Sequence, residues 1–180
     1  MSEPPVDGAA VAAPGSVPSS LVAPALGRRM ACWLYEGMLL FAVVFMAGWL
    51  FSTLGQMRSG MDPRRPLLQL FIFIVFGVYF AWFWSRGRQT LAMKTWHIRV
   101  VDASGQPLTQ QRAAWRYACC WLWFLPPMVA LSPLHLGGRA DALVILGWVA
   151  LWALSSRLHP QRQFWHDALA GTRLVSAAAR

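Results

Sequence analysis

Residues 30–54 read MACWLYEGMLLFAVVFMAGWLFSTL, a run that is apolar except for one charged residue, Glu36. A helix needs about 20 apolar residues to cross the hydrocarbon core of a bilayer, and this run exceeds that length. We therefore expect a membrane-spanning helix here, with a carboxylate held at membrane depth.

Three more apolar runs follow, at residues 67–84, 117–136 and 142–156. The first of these ends in an aromatic cluster typical of the headgroup level of a membrane. Pro126, Pro127 and Pro133 interrupt the next run and must kink or break a helix there. The last run is short, so it spans only if it recruits neighbours such as Leu158 or if the bilayer thins.

The composition supports a membrane protein. Hydrophobic residues make up 57% of the 180 residues and charged residues 13%, against roughly half and a quarter in soluble domains. This excludes a disordered protein and argues against an ordinary soluble domain. The net charge of +9 has two interpretations, nucleic-acid binding or orientation in a membrane.

The positions of the charges favour orientation. With four spans and both termini inside, the inner segments hold twelve of the 16 Lys and Arg residues, as the positive-inside rule expects. No nucleic-acid partner is then needed. The alternative is a three-span topology in which the last run only dips into the membrane and the C-terminus lies outside.

The polar connection at residues 85–116 alternates in the strand period around Ile98, and residues 102–105 supply turn residues before Pro107. The sequence thus predicts an all-α integral membrane protein with about four transmembrane helices and a small cytoplasmic β-hairpin between helices 2 and 3. We expect a disordered Pro-rich tail at residues 1–25, a membrane domain at 26–176 and a short C-terminal tail at 177–180.

Glu36 is the first candidate for a functional role. A carboxylate at membrane depth is costly unless it is paired, hydrated or protonated. Arg29 lies two helical turns earlier on the same face, roughly 10 Å away. Glu36 is then either half of a structural ion pair with another segment or a protonatable site on an ion path.

Asp167 is the second candidate, within WHDALAGT at residues 165–172. It either caps a helical turn or pairs with an arginine, or it is a functional partner of Arg29 or of a relay with His166. The adjacency of His166 and Asp167 alone is weak evidence, because neighbouring side chains on a helix point apart.

Three motifs together resemble the RDD family of small bacterial inner-membrane proteins, which is named for one arginine and two aspartates. The family arginine maps to Arg29, or to Arg28, and the second aspartate maps to Asp167. The first aspartate falls on Glu36, a departure that keeps the charge and lengthens the side chain. The motifs are RRMACWLYEG at 28–37, GRQT at 87–90 with IRVVDASGQPL at 98–108, and WHDALAGT at 165–172.

The resemblance implies a multi-pass protein of the bacterial inner membrane, with both termini cytoplasmic. A transport role has been proposed for such proteins, and some are linked to sodium–proton exchange. Here the family's Thr-Pro-Gly-Lys reads Thr-Leu-Ala-Met before Lys94. Beside Arg29, Glu36 and Asp167, the secondary candidates are Arg28, His166, Lys94 and Arg99. The alternative function is a non-catalytic scaffold or assembly subunit in which the same charges form a structural network.

Other classes of function find no support in the sequence. No enzyme motif is present, so we expect no enzyme. The scattered histidines and the three cysteines without C-x-x-C spacing predict no metal site, no cofactor and no disulfide. The expected partners are the lipid bilayer and, because four short spans barely enclose a path, further copies of the chain. The basic connection at residues 85–116 either binds anionic lipids or only sets orientation.

Overall fold

A computed structural model describes residues 22–56, 62–131 and 138–177 of the chain. Residues 1–21 of the predicted N-terminal tail and residues 178–180 of the predicted C-terminal tail lie outside these ranges. The elements, in chain order, are α1 (Leu26–Leu54), α2 (Arg65–Trp84), α3 (Leu91–Thr95), β1 (Ile98–Asp102), α4 (Gln110–Cys120), a 3-10 turn (Trp121–Trp123), α5 (Leu125–Leu131), α6 (Gly138–Ser155), α7 (Trp165–Leu169) and β2 (Thr172–Ser176).

Three of these helices, α1, α2 and α6, are long and apolar enough to cross a membrane. Their apolar side chains point largely away from the protein, as Met38 and Phe41 do at 71% and 72% exposure. Exposed apolar surface on this scale is unfavourable in water and is covered by lipid tails in a bilayer. The predicted bilayer environment is therefore confirmed.

The third predicted span, residues 117–136, does not form one long helix in the part that the structure describes. α4 ends at Cys120, the 3-10 turn follows, and α5 carries Pro126 and Pro127 in its first turn. Proline fits that turn because the first N–H groups of a helix have no helical partner, but it cannot continue a helix from upstream. The predicted break is confirmed, whereas four continuous spans are not. Pro133 lies outside the described residues.

The fourth apolar run, residues 142–156, forms a helix that begins earlier than predicted. α6 gains its length at the N-terminal end, from Gly138, and does not recruit Leu158. Its 18 residues extend roughly 27 Å at 1.5 Å per residue, close to the thickness of the hydrocarbon core. This length is enough for α6 to cross a membrane.

The predicted strand around Ile98 is present, but its predicted partner is wrong. β1 pairs antiparallel with β2 near the C-terminus, with Ile98 opposite Ser176 and Asp102 opposite Thr172. Residues 107–108 do not form a hairpin with β1, and Leu108 makes only an isolated bridge to Ser85. Pro107 has no N–H to donate to a ladder, whereas every residue of β2 has one.

The sheet brings distant segments to one place beside the membrane helices. Val100 and Leu174 are buried in one apolar cluster with Trp84 at the end of α2 and Phe164 before α7. Val22, just before α1, accepts a hydrogen bond from the backbone N–H of Ser176, with an N to O distance of 3.2 Å. The starts of α1 and α4, the end of α2 and the last strand therefore share one end of the molecule.

Candidate functional site

A cavity of about 300 Å³ lies between the first half of α1, the second half of α2 and the stretch from α4 to the 3-10 turn. The α1 residues that line it follow helical spacing, so they form one stripe along the helix. This stripe consists of Arg29, Cys32, Trp33, Glu36, Gly37 and Leu40.

The cavity has two unlike ends, because α1 and α2 run antiparallel and the start of α1 lies beside the end of α2. Arg29, Arg116 and His166 line one end, which we call the arginine end. Leu40 and Phe76 line the other, which we call the apolar end. Between the two ends the walls are mainly aromatic, and an aromatic lining with a few placed polar groups is typical of ligand sites.

Glu36 lies on the cavity wall between these ends and is only 7% exposed. Its two carboxylate oxygens each accept one hydrogen bond from a neutral hydroxyl. The Tyr79 hydroxyl of α2 donates to Oε1 at 2.8 Å, and the Thr90 hydroxyl donates to Oε2 at 2.5 Å. Among the described residues, no Lys, Arg or His forms a salt bridge with Glu36. The ion pair considered from the sequence is therefore not what holds this side chain.

The position of Thr90 is set by α3, the helix that follows it. Its side chain caps α3 by accepting a hydrogen bond from the Met93 N–H at 3.2 Å. The same hydroxyl is then free to donate its proton to Glu36, since a hydroxyl both donates and accepts. The cap thus orients the hydroxyl toward Glu36. A threonine one residue before a short helical stretch is the sequence signal for such a cap.

Arg29 lies at the arginine end and is 4% exposed. Its guanidinium stacks over the Phe164 ring at 4.4 Å from the ring centroid and donates to the Ser156 hydroxyl at 3.4 Å. It forms no salt bridge with Glu36 or Asp167 in the described ranges. Arg29 and Glu36 share one cavity, as their spacing on α1 predicts, without direct contact.

Asp167 is fully buried and pairs with Arg116 of α4, which the sequence analysis did not single out. Arg116 Nε and Nη2 reach Asp167 Oδ1 at 2.8 and 2.7 Å. The prediction that Asp167 pairs with an arginine holds, but the partner is not Arg29. A signal for Arg116 was present, because it shares the buried face of α4 with Ala113 and Tyr117 at helical spacing.

His166 is buried beside this ion pair. Trp123 Nε1 donates to His166 Nδ1 at 2.5 Å, which leaves the imidazole proton on Nε2, 3.4 Å from Asp167 Oδ1. Burial lowers the pKa of His166 to about 4, so the ring is neutral at neutral pH. The two neighbouring side chains therefore approach each other, contrary to the expectation that they point apart.

The remaining secondary candidates lie outside the cavity lining. Arg28 donates to the Ser176 hydroxyl of β2, Lys94 is exposed on α3, and Arg99 lies half-buried on β1. The structure therefore brings together Arg29, Glu36 and His166 at one cavity, with Asp167 behind it, and leaves these three cations apart. All three cysteines are free thiols. No grouping of metal-ligating side chains occurs within the described ranges.

Comparison with known proteins gives one match. The sequence model of the RDD family matches residues 23–171, which is most of the chain. Neither the curated proteins nor the solved structures include a significant match. The matched region contains the arginine, the acidic residue of α1 and the aspartate of α7 on which the resemblance was based. The chain therefore belongs to the RDD family, and its long apolar helices identify it as a membrane protein.

Proposed function

We propose that this protein is a proton- or cation-coupled membrane transporter, or a subunit of one, in which Glu36 is the carboxylate that binds the transported proton or cation. The observation that carries this proposal is the setting of Glu36. Glu36 is a buried carboxylate of α1, a helix long and apolar enough to cross a membrane. It lies on a cavity wall, and its donors are hydroxyls rather than a cation. Intramembrane carboxylates in such settings are typical of proton and ion paths.

Asp167 has a different role in this proposal. Its charge is already balanced by Arg116, so it is a fixed part of the arginine end and not a carrier. Arg29 supplies positive charge to the same cavity as Glu36. A bound cation and a fixed guanidinium repel each other, and we propose that this repulsion favours release of the cation away from the arginine end.

We further propose that both termini face the cytoplasm of a bacterial inner membrane. The pairing of β1 with β2 and the bond between Val22 and Ser176 support termini on one side, which requires an even number of crossings. Because α1, α2 and α6 account for three, the fourth pass would be the broken stretch from α4 to α5. The arginine end of the cavity would then face the cytoplasm, in agreement with the positive-inside rule.

We also propose that the protein forms a homo-oligomer and contacts anionic lipids. A broken pass and three long helices enclose little space, so a complete path would form in a homo-oligomer. Arg86, Lys94 and Arg112 are exposed at the end of the molecule that would face the cytoplasm, where headgroups lie in this topology. Contact with anionic lipids there is worth about 1 kcal/mol for each Lys or Arg near the surface.

The test is ion exchange in everted membrane vesicles from cells that lack native antiporters. Wild-type protein should collapse a preset pH gradient when sodium or potassium is added, and Glu36→Gln should not. Glu36→Asp keeps the charge, restores the family's usual residue and should retain exchange. Asp62→Asn, in the loop between α1 and α2 and away from the cavity, is the control for differences between vesicle preparations. Absence of any response from folded wild-type protein would contradict the proposal.

A scaffold function is the second candidate, and the buried Arg116–Asp167 pair favours it. This pair joins α4 to α7, as expected of a network that holds the C-terminal segment against the bundle. Under this function, Glu36→Gln should lower the amount of protein in the membrane because Tyr79 and Thr90 lose a charged acceptor. Normal abundance of Glu36→Gln together with lost exchange would exclude this alternative.

A further inference from the structure

We propose that the cavity binds a single-chain amphipathic anion, with an oxyanion head, most simply a carboxylate, at the arginine end and an apolar chain toward the apolar end. This goes beyond the transport proposal and does not depend on it, because binding is a property of the cavity whether or not an ion crosses.

The two guanidinium groups at the arginine end carry buried N–H groups that have no acceptor. Nε and Nη1 of Arg29 and Nη1 of Arg116 are buried and donate to no described residue. Each arginine is only 4% exposed. A buried guanidinium N–H without an acceptor is costly, and an oxyanion is the acceptor that matches guanidinium geometry best.

The stacking of both guanidinium groups determines which side an anion meets. Arg29 lies over the Phe164 ring, and Arg116 lies over the Trp84 ring at 4.0 Å from the centroid. One flat face of each guanidinium is covered by its aromatic ring, so an anionic head would have to meet the unpaired N–H groups along the edges. Two arginines and one acidic residue, Asp167, leave this end with a net positive charge.

The apolar end fits a chain. From Arg29 to Leu40 the α1 stripe extends about 16 Å, at 1.5 Å per residue. The space beside Gly37, which is exposed, is open, because a Cβ at that position would meet nothing within 4 Å. A volume of about 300 Å³ lies at the small end of ligand pockets, which span roughly 300–1,000 Å³. One chain fits this space and the two chains of a phospholipid do not.

Other ligands match the two ends less well. An inorganic anion would satisfy the arginines and leave the aromatic walls without a partner. A neutral chain would fill the walls and leave the guanidinium donors unpaired. A cationic amphiphile would meet Arg29 and Arg116 with like charge. Of these ligand classes, an amphipathic anion is the one that matches both ends of the cavity.

The test is photolabelling of the full-length protein in nanodiscs of zwitterionic lipid, with a dodecanoate that carries a diazirine near its methyl end. We expect saturable labelling within residues 29–40, mapped by mass spectrometry. Excess dodecanoate should compete, and dodecanol, which lacks the charge, should not. Competition by dodecanol equal to that by dodecanoate, or labelling confined to lipid-facing residues such as Phe41 and Phe45, would overturn the proposal.

Two variants test the two ends of the cavity separately, one variant at each end. Arg29→Gln removes a charge-assisted bond and should weaken labelling about tenfold. Gly37→Leu fills the open space without removing a contact and should abolish labelling while the protein keeps its elution volume and circular dichroism. Arg64→Gln, in an exposed loop, and Gly48→Leu, elsewhere on α1 and also open, should label as the wild type does. Unchanged labelling in both cavity variants would overturn the proposal. Photolabelling measures binding and not ion flux, so its result is independent of the ion-exchange result.

Discussion

Arg116 and Asp167 form a buried ion pair across 51 residues of sequence, with two guanidinium nitrogens on one carboxylate oxygen. Neither residue has more than 4% of its surface exposed. The pair joins α4, which follows the polar connection, to α7, which precedes the last strand. It therefore fixes the arginine end of the cavity, where Arg116 also stacks on Trp84.

Removal of one member of this pair should destabilise the protein strongly. Arg116→Met leaves Asp167 buried without its partner, and Asp167→Leu does the same to Arg116, each at a cost of about 3–5 kcal/mol. The double variant leaves no buried charge without a partner and should recover much of the lost stability. Unfolding in mild detergent, followed by circular dichroism, measures this. The exposed pair of Arg64 and Asp62 is the control, and its removal should leave the unfolding midpoint unchanged. A double variant as unstable as the sum of the two singles would contradict the prediction.

His166 should make stability fall at acid pH. Burial lowers its pKa to about 4 from 6.5, so the unfolded chain takes up this proton at a higher pH than the folded chain does. The contribution of neutral His166 to the free energy of unfolding is complete above pH 6.5 and is lost as the pH falls toward 4. In total it amounts to about 3 kcal/mol. Melting temperatures across that range should fall less in His166→Asn, which keeps an acceptor for Trp123. His97→Asn, at an exposed position, should follow the wild-type profile. Identical profiles for wild type and His166→Asn would show that His166 does not contribute.

Glu36→Gln should tighten binding of dodecanoate in the cavity. An ionised Glu36 repels an anionic head two helical turns away, and at roughly 10 Å this repulsion is worth about a tenfold change in affinity. Competition photolabelling at pH 8 measures the change. Glu36→Asp retains the charge and should bind as the wild type does. Equal affinities for wild type and Glu36→Gln would show that no such repulsion acts.

The topology can be checked by cysteine labelling after Cys32, Cys119 and Cys120 are replaced by alanine. Cysteines at Ser104 and Gln161, both exposed, should react with a membrane-impermeant maleimide from the cytoplasmic side. Cysteines at Pro63 and Arg139, also exposed, should react from the other side. Labelling of positions 104 and 161 from opposite sides would contradict termini on one side of the membrane.

Sequence patterns predicted the local elements well. The apolar runs of α1, α2 and α6 and the strand at Ile98 follow from hydrophobicity and period, which depend only on neighbouring residues. Pro126 and Pro127 predicted the break in the third run for the same reason. Strand pairing is a long-range choice, and period alone could not show that β1 pairs with Thr172–Ser176.

The candidate site was predicted in part. Arg29 and Glu36 share the cavity because helical spacing places them on one face of α1. The partners of the charges could not be predicted, because Tyr79, Thr90 and Arg116 come from other elements and meet them only after the helices pack. The chain contains many arginines, and burial rather than sequence distinguishes Arg116 from the exposed ones.

Because β1 pairs with β2, the sheet can close only late in the synthesis of the chain. Ile98 is made long before Ser176, so β1 leaves the ribosome without its partner and stays unpaired while the later helices insert. Phe164 and Ser156, which hold Arg29, and Asp167, which holds Arg116, are also made late. Contacts this distant in sequence form slowly, because a long loop must close before they can form. A chain stopped before Thr172 would therefore have inserted its long helices but could not close its sheet.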